Sequence, residues 1–255
     1  MQSIRRRFKW RYMPIVLLIV LMIGAAGFVL WANETGKLMP EVAVAMMSDD
    51  TVTVNRTDGW LEFIPTDADI TTGYIMYPGG KVLPDAYAPL ARDIAEDGYF
   101  VAIVYAPLNL AFFNIGAAAP VIEAYPEIES WAAGGHSLGG VAAASFANDN
   151  PDTIDGLVLM ASQSFPGGTL NERDDIAVVS IYGTEDGLQS EADVEADATN
   201  LPDDTEFVVI NGGNHAQFGW YGEQAGDNAA TISRDAQQAQ IVEATITLLM
   251  DIVSR

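Results

Sequence analysis

A serine stands between two pairs of glycines in "GGHSLGG", residues 134–140, and alanines 142–144 follow it closely. Small residues on both sides of a hydroxyl are what a very tight backbone bend requires, and the run fits the pattern G-x-S-x-G. Such a bend presents Ser137 as a nucleophile and leaves the N–H of Leu138, at a helix start, to donate to an oxyanion. A serine hydroxyl reacts well only when a base takes its proton. The chain has just two histidines. His136 adjoins the serine, its side chain should diverge from it, and it is read as a packing residue. His215, in "INGGNHAQFGWYG", is the expected base.

An imidazole base needs a carboxylate to hold its tautomer and stabilise its charged form. Many carboxylates lie between Ser137 and His215, most of them in surface runs such as "NERDD" and "EADVEADA". Only "GTEDG" directly follows an expected strand of a parallel sheet; Asp186 is preferred there, with Glu185 the alternative. A second oxyanion donor is expected from "YPGGK", where glycines let the backbone approach a substrate oxygen. Gly80 is preferred, and Gly79 and Lys81 stay open. Phe218 and Trp220 fall on the loop carrying His215 and are expected to line a substrate pocket.

These residues need a frame. Residues 51–55 and 60–64 read as a hairpin around "RTDG". Apolar strands then alternate with helices: strand Thr72–Tyr77, helix 84–97, strand 99–105, helix 117–125, strand 131–135 and helix 137–148. Strands 154–161, 176–183 and 205–212 follow, and an amphipathic helix at 233–253 closes the chain. Continuous apolar strands alternating with helices predict a mostly parallel sheet covered on both faces. Ser137, Asp186, His215 and Gly80 all lie just past strand ends, where ligands of such sheets bind.

The formal net charge is −23, and five of the twelve basic residues lie within the first eleven positions. Beyond Ala32 only seven basic residues face all 35 acidic ones. Such a surface repels nucleic acid and anionic headgroups, so neither is expected as a partner of the folded part. There is no cysteine, which excludes disulfides, thiolate metal sites and a cysteine nucleophile. No phosphate loop, metal-ligand cluster or nucleotide fingerprint is found, and neither cofactor nor metal is expected. Met13–Ala32 is twenty uncharged residues, about 30 Å as a helix, which matches a bilayer's hydrocarbon thickness. Five cations precede it, so the remainder is expected outside the cell, held by an uncleaved anchor. The alternative is a protein secreted after signal cleavage. The expected organisation is a basic cytoplasmic tail 1–12, a transmembrane anchor 13–32, a linker 33–50 and a catalytic domain 51–255.

"YPGG", "GGHSLGG", "YGTEDG" and "GGNHAQFGWYG" together resemble the alpha/beta hydrolases, close to the small dienelactone-hydrolase-like or alpha/beta hydrolase fold-5 group. The resemblance covers roughly residues 50–255 and implies the alpha/beta-hydrolase fold with a Ser137–His215–Asp186 triad. Dienelactone hydrolase itself uses a cysteine nucleophile, which this chain lacks. Classical lipases carry a helical lid; here only about fourteen residues separate the strands ending at Ala161 and starting at Ile176. The expected activity is that of a membrane-anchored extracytoplasmic serine hydrolase on small-molecule carboxylic esters of short to medium acyl length. Two alternatives stay open: an acyltransferase with the same triad, and a non-catalytic binding protein on this fold.

Overall fold

Residues 72–77 are apolar or small at nearly every position, which suits a strand covered on both faces. In the computed structural model, which describes residues 12–66, 68–164 and 169–254, this strand lies inside an eight-stranded sheet. The strands are β1 (Val52–Arg56), β2 (Trp60–Pro65), β3 (Thr72–Tyr77), β4 (Phe100–Val104), β5 (Ser130–His136), β6 (Gly156–Met160), β7 (Ala177–Gly183) and β8 (Glu206–Ile210). Their spatial order is β1-β2-β4-β3-β5-β6-β7-β8. The β1–β2 hairpin joins β4 antiparallel, and every other pairing is parallel.

The helices are α1 (Met13–Ala32), α2 (Pro40–Ala45), α3 (Ala88–Glu96), α4 (Ala118–Ala124), α5 (Leu138–Asp149), α6 (Glu191–Asp197) and α7 (Arg234–Ser254). Alternate strand residues serve opposite layers. Tyr74, Met76, Val101 and Ile103 share one core with Leu90 and Ile94 of α3 and Leu248 and Leu249 of α7. Ile75, Tyr77, Ala102 and Val104 share the other with Val121 of α4 and Ala143, Ala144 and Ala147 of α5. The small side chains of α5 let its axis approach the sheet. The chain runs from β3 outward to β4 and returns to β5 on the opposite side of β3. That reversal leaves the carboxyl ends of β3 and β5 side by side, with Tyr77 paired to Gly135. A crevice opens at such a reversal, and ligands bind there.

Three segments differ from expectation. The run "EADVEAD" keeps Glu191, Asp193 and Glu195 at the surface as read, but is also helical: it forms α6, because Ser190 and Asp193 close a capping box at its start. Residues 33–50, expected as a linker, include α2 and pack on the domain, with Val42 and Ala45 in the core. Arg92 of α3 holds this segment: its Nε donates to Ala45 O at 3.0 Å, Nη1 to Asp49 Oδ2 at 2.7 Å, and Nη2 to Met47 O. Strand β8 is exposed along most of its length, since it forms the sheet's edge. Helix α1 has the expected bounds, is long and apolar enough to cross a membrane, and is exposed except at Ala32. The basic tail falls almost wholly on residues 1–11, outside the described residues.

Because three charged hydrogen bonds from one buried guanidinium dock residues 45–49, Arg92→Ala is expected to lower unfolding free energy by about 1.5–3 kcal/mol. Urea unfolding of the full chain measures it. An unchanged midpoint would show that this segment docks without Arg92.

Candidate active site

The bend between β5 and α5 is as sharp as the glycines demand. Ser137 has φ 52° and ψ −122°, a region that side chains rarely occupy. A Cβ on Gly135 would lie 2.5 Å from the carbonyl carbon of Gly139 and 2.6 Å from Tyr77 O. One on Gly139 would lie 2.6 Å from Pro78 O and overlap Tyr77 O. Hydrogen bonds hold the bend from both ends: Ser137 N–H donates to Met160 O at 2.9 Å, and Ser162 Oγ donates to Ser137 O at 2.7 Å. Ser137 itself is half-buried, at the wall of an open cleft of about 430 Å³ that His215 also lines.

His215 follows β8 on a glycine turn. Its Nδ1 lies 2.8 Å from Asp186 Oδ2, with the two side chains only 3% and 0% exposed. The other carboxylate oxygen, Oδ1, accepts the N–H groups of Leu188 at 2.8 Å and Gln189 at 2.7 Å. Those two donors orient Asp186 so that Oδ2 accepts from the imidazole. Nδ1 therefore carries the proton, and Nε2 keeps its lone pair. Nε2 is buried and has no hydrogen-bond partner among the described residues. It is Asp186, not the neighbouring Glu185, that reaches the ring. Among the described residues, no three metal-ligating side chains gather to hold an ion.

Asp227 is a structural member of the site that the sequence reading missed. Its Oδ1 accepts from Gly187 N at 3.0 Å and from His215 N at 3.3 Å, while Oδ2 accepts from Ala216 N at 2.8 Å. One carboxylate thus ties the loop bearing Asp186 to the loop bearing His215. Its sequence setting, "GDN", is that of an ordinary surface turn, so nothing there marked it.

Next to Leu138, the three open oxyanion donors separate by their partners. Gly79 N–H donates to Tyr87 Oη at 3.0 Å, and Lys81 N–H donates to Asn109 O at 2.8 Å. Of the three, Gly80 alone keeps its N–H uncommitted among the described residues, and its Cα faces the side chain of Leu138. Since Tyr87 Oη accepts from Gly79, its proton goes to His136 Nδ1, 2.9 Å away. His136 is therefore protonated on Nε2. Its ring stacks on Phe218 at 5.4 Å and lies 4.4 Å from the ring of His215. Burial, reinforced by the charge of a protonated His215, pushes its pKa well below the ordinary histidine value. His136 packs, as its sequence position suggested.

Phe218 and Trp220 are not pocket residues in this geometry. A single 3₁₀ turn, Ala216–Phe218, carries the chain inward, and Phe218 is wholly buried beneath His136. Trp220 is buried too, with its backbone N–H on Ala86 O at 2.8 Å and the Arg234 guanidinium 5.8 Å from its ring. Neither lines the cleft at Ser137, where Val141, Ala161 and Leu188 supply the apolar wall.

A sequence model of the alpha/beta hydrolase family matches residues 73–239, from β3 into α7. The chain belongs to the alpha/beta hydrolase family. No curated protein matches its sequence significantly. Among solved structures the hydrolase is similar to the esterase from Pyrobaculum calidifontis, at 16% identity and a TM-score of 0.62, over 89% of this chain and 92% of the other. Est1E from Butyrivibrio proteoclasticus is similar at 12% identity and a TM-score of 0.58, over 81% and 100%. Est2 from the Planctomycetes species Thermogutta terrifontis, solved with butyrate bound, is similar at 13% identity and a TM-score of 0.55, over 80% and 95%. The family and the sheet architecture are those the four sequence stretches implied. Between the strands ending at Met160 and starting at Ala177, the described residues of the hydrolase hold no lid helix.

The unfolded chain protonates His136 near pH 6.5, whereas the folded chain keeps it neutral, so folding stability falls as the pH drops below about 6.5. His136→Gln removes that dependence. The stability advantage of wild type over the variant is expected to shrink between pH 8 and pH 5, read by urea unfolding. A constant difference would contradict a buried neutral imidazole.

Proposed function

We propose that this alpha/beta hydrolase is a membrane-anchored, extracytoplasmic serine esterase acting on carboxylic esters of short to medium acyl length. The observation that carries the reading is the Asp186–His215 pair at 2.8 Å, which leaves Nε2 bare in a site shared with Ser137. Ser137 Oγ attacks the ester carbonyl while His215 Nε2 takes its proton. The carbonyl electrons move onto oxygen, and the N–H groups of Leu138 and Gly80 receive the resulting oxyanion. The intermediate collapses, and the alkoxide leaves with the proton from Nε2. Water then attacks the acyl-serine with His215 again as base, releasing the acid and restoring Ser137. Asp186 holds the imidazole tautomer and offsets its charge throughout.

The cleft volume of about 430 Å³ falls at the small end of ligand pockets and supports a small ester. The butyrate held by Thermogutta terrifontis Est2 supports a short acyl group in the same way. Anchoring rests on α1, twenty apolar residues exposed along their length, with five cations before it directing the domain outward.

Full-length protein assayed on p-nitrophenyl esters from acetate to palmitate tests the reading. Turnover is expected to peak at short chains and to vanish in folded Ser137→Ala. A maximum at palmitate would overturn the substrate class, and wild-type turnover in Ser137→Ala would overturn the nucleophile.

Asp227 does not line the cleft at Ser137, and its role in this reading is to position the two loops. Asp227→Ala is expected to lower kcat by up to roughly a hundredfold with KM nearly unchanged, as small displacements of reacting groups do. A rise in KM alone would place Asp227 in binding instead.

A further inference from the structure

The loop after β4 is unlike the rest of the surface. Residues 105–122 contain no charged side chain, in a chain whose net charge is −23. On this loop Phe112 and Phe113, with ring centroids 4.3 Å apart, are each 47% exposed. Their apolar surface continues into α1. The Phe113 ring meets Phe28 edge-on at 6.4 Å, and Phe28 stacks on Trp31 at 5.7 Å. Phe28 lies four residues before the end of α1, or about 6 Å along the helix axis. With α1 across a bilayer and its end at the hydrocarbon edge, Phe28 lies about 6 Å inside that edge, just beneath the boundary where aromatic rings concentrate.

The outer end of α1 is fastened to the domain. Ala32 is buried, and Lys81 Nζ lies 4.7 Å from the Trp31 ring centre and 3.8 Å from Glu34 Oε2. The aromatic loop reaches the same place from the other side. Its Asn109 O holds the N–H of Lys81, and Leu110 lies beside Gly80. Lipid contact at this loop would therefore act on the segment that carries Gly80, the proposed second oxyanion donor.

We propose that residues 107–117 form a second membrane contact, in which Phe112 and Phe113 enter the bilayer boundary and hold the catalytic face against it. The proposal rests on the reading of α1 as a membrane span. The occupant is lipid because the apolar patch is continuous with α1, itself exposed along its length, and because the loop brings no charge to desolvate.

The absence of cysteine makes the test clean. Full-length chains carrying Phe112→Cys, Leu21→Cys or Asp203→Cys are labelled with a nitroxide and placed in phosphatidylcholine nanodiscs. Electron paramagnetic resonance then compares collisions with oxygen, which partitions into lipid, and with a water-soluble nickel chelate. The oxygen-to-nickel ratio at position 112 is expected to be severalfold above that at exposed position 203 and below that at mid-span position 21. A value at 112 equal to that at 203, with 21 still high, overturns the loop contact while the span stands. A low value at 21 defeats the span and the loop contact with it. Shielding of position 112 from both reagents would mean a protein partner and also overturns the proposal. Phe113→Cys repeats the measurement, so that one poorly folded variant does not decide it.

Discussion

The backbone at Ser137 is the constraint on which the rest of the site depends. A side chain held at φ 52° and ψ −122° costs of order 1–3 kcal/mol, and it persists only where the surroundings fix it. Here they do so from every side. Met160 O and Ser162 Oγ hold the N–H and C=O of Ser137, and the bare Cα atoms of Gly135 and Gly139 let β5, α5 and the end of β3 nearly touch. Any side chain at those two glycines would push Tyr77 away. With Tyr77 would go the Pro78-Gly79-Gly80 turn, so the elbow and that turn share one packing contact.

The rest of the arrangement is a set of loops held in register by buried or half-buried hydrogen bonds. Asp186 is aimed by two backbone donors, and His215 is held by Asp186 at its ring and by Asp227 at its backbone. Tyr87 plays the matching part on the other side, accepting from Gly79 and donating to His136. One consequence is selective: the bond to Tyr87 occupies Gly79, that to Asn109 occupies Lys81, and Gly80, beside Leu138, is left uncommitted among the described residues. The loop after β4 enters this network through Asn109, which accepts from the backbone of Lys81, whose side chain lies against Trp31 of α1.

Much of this was legible in the sequence, for reasons that differ by residue. The glycines around Ser137 are legible because steric exclusion at a tight bend admits nothing else. His215 is legible because only two histidines exist and one is adjacent to the serine. The bounds of α1 are those of an uncharged run between charged flanks, which composition alone marks. Other features depend on long-range contacts that no local pattern encodes. Asp227 acts across 40 positions on Gly187, and Arg92 docks a segment more than 40 positions away. Phe218 and Trp220 carry the composition of pocket residues, but a single 3₁₀ turn directs them inward. Helix α6 was hidden by its carboxylates, since its stability begins with a capping box rather than an apolar stripe.

The most direct measurement is to ask which side chain a phosphoryl ester finds. Diethyl p-nitrophenyl phosphate transfers its phosphoryl group to an activated serine oxygen and releases p-nitrophenol, so the modified residue can be located by peptide mass mapping. Incubated with the full-length protein at neutral pH, it should add one diethylphosphoryl group per chain, on Ser137, and should add none at a comparable rate to His215→Ala. Modification of a different serine, or equal labelling of Ser137 without His215, would contradict the proposed nucleophile and base.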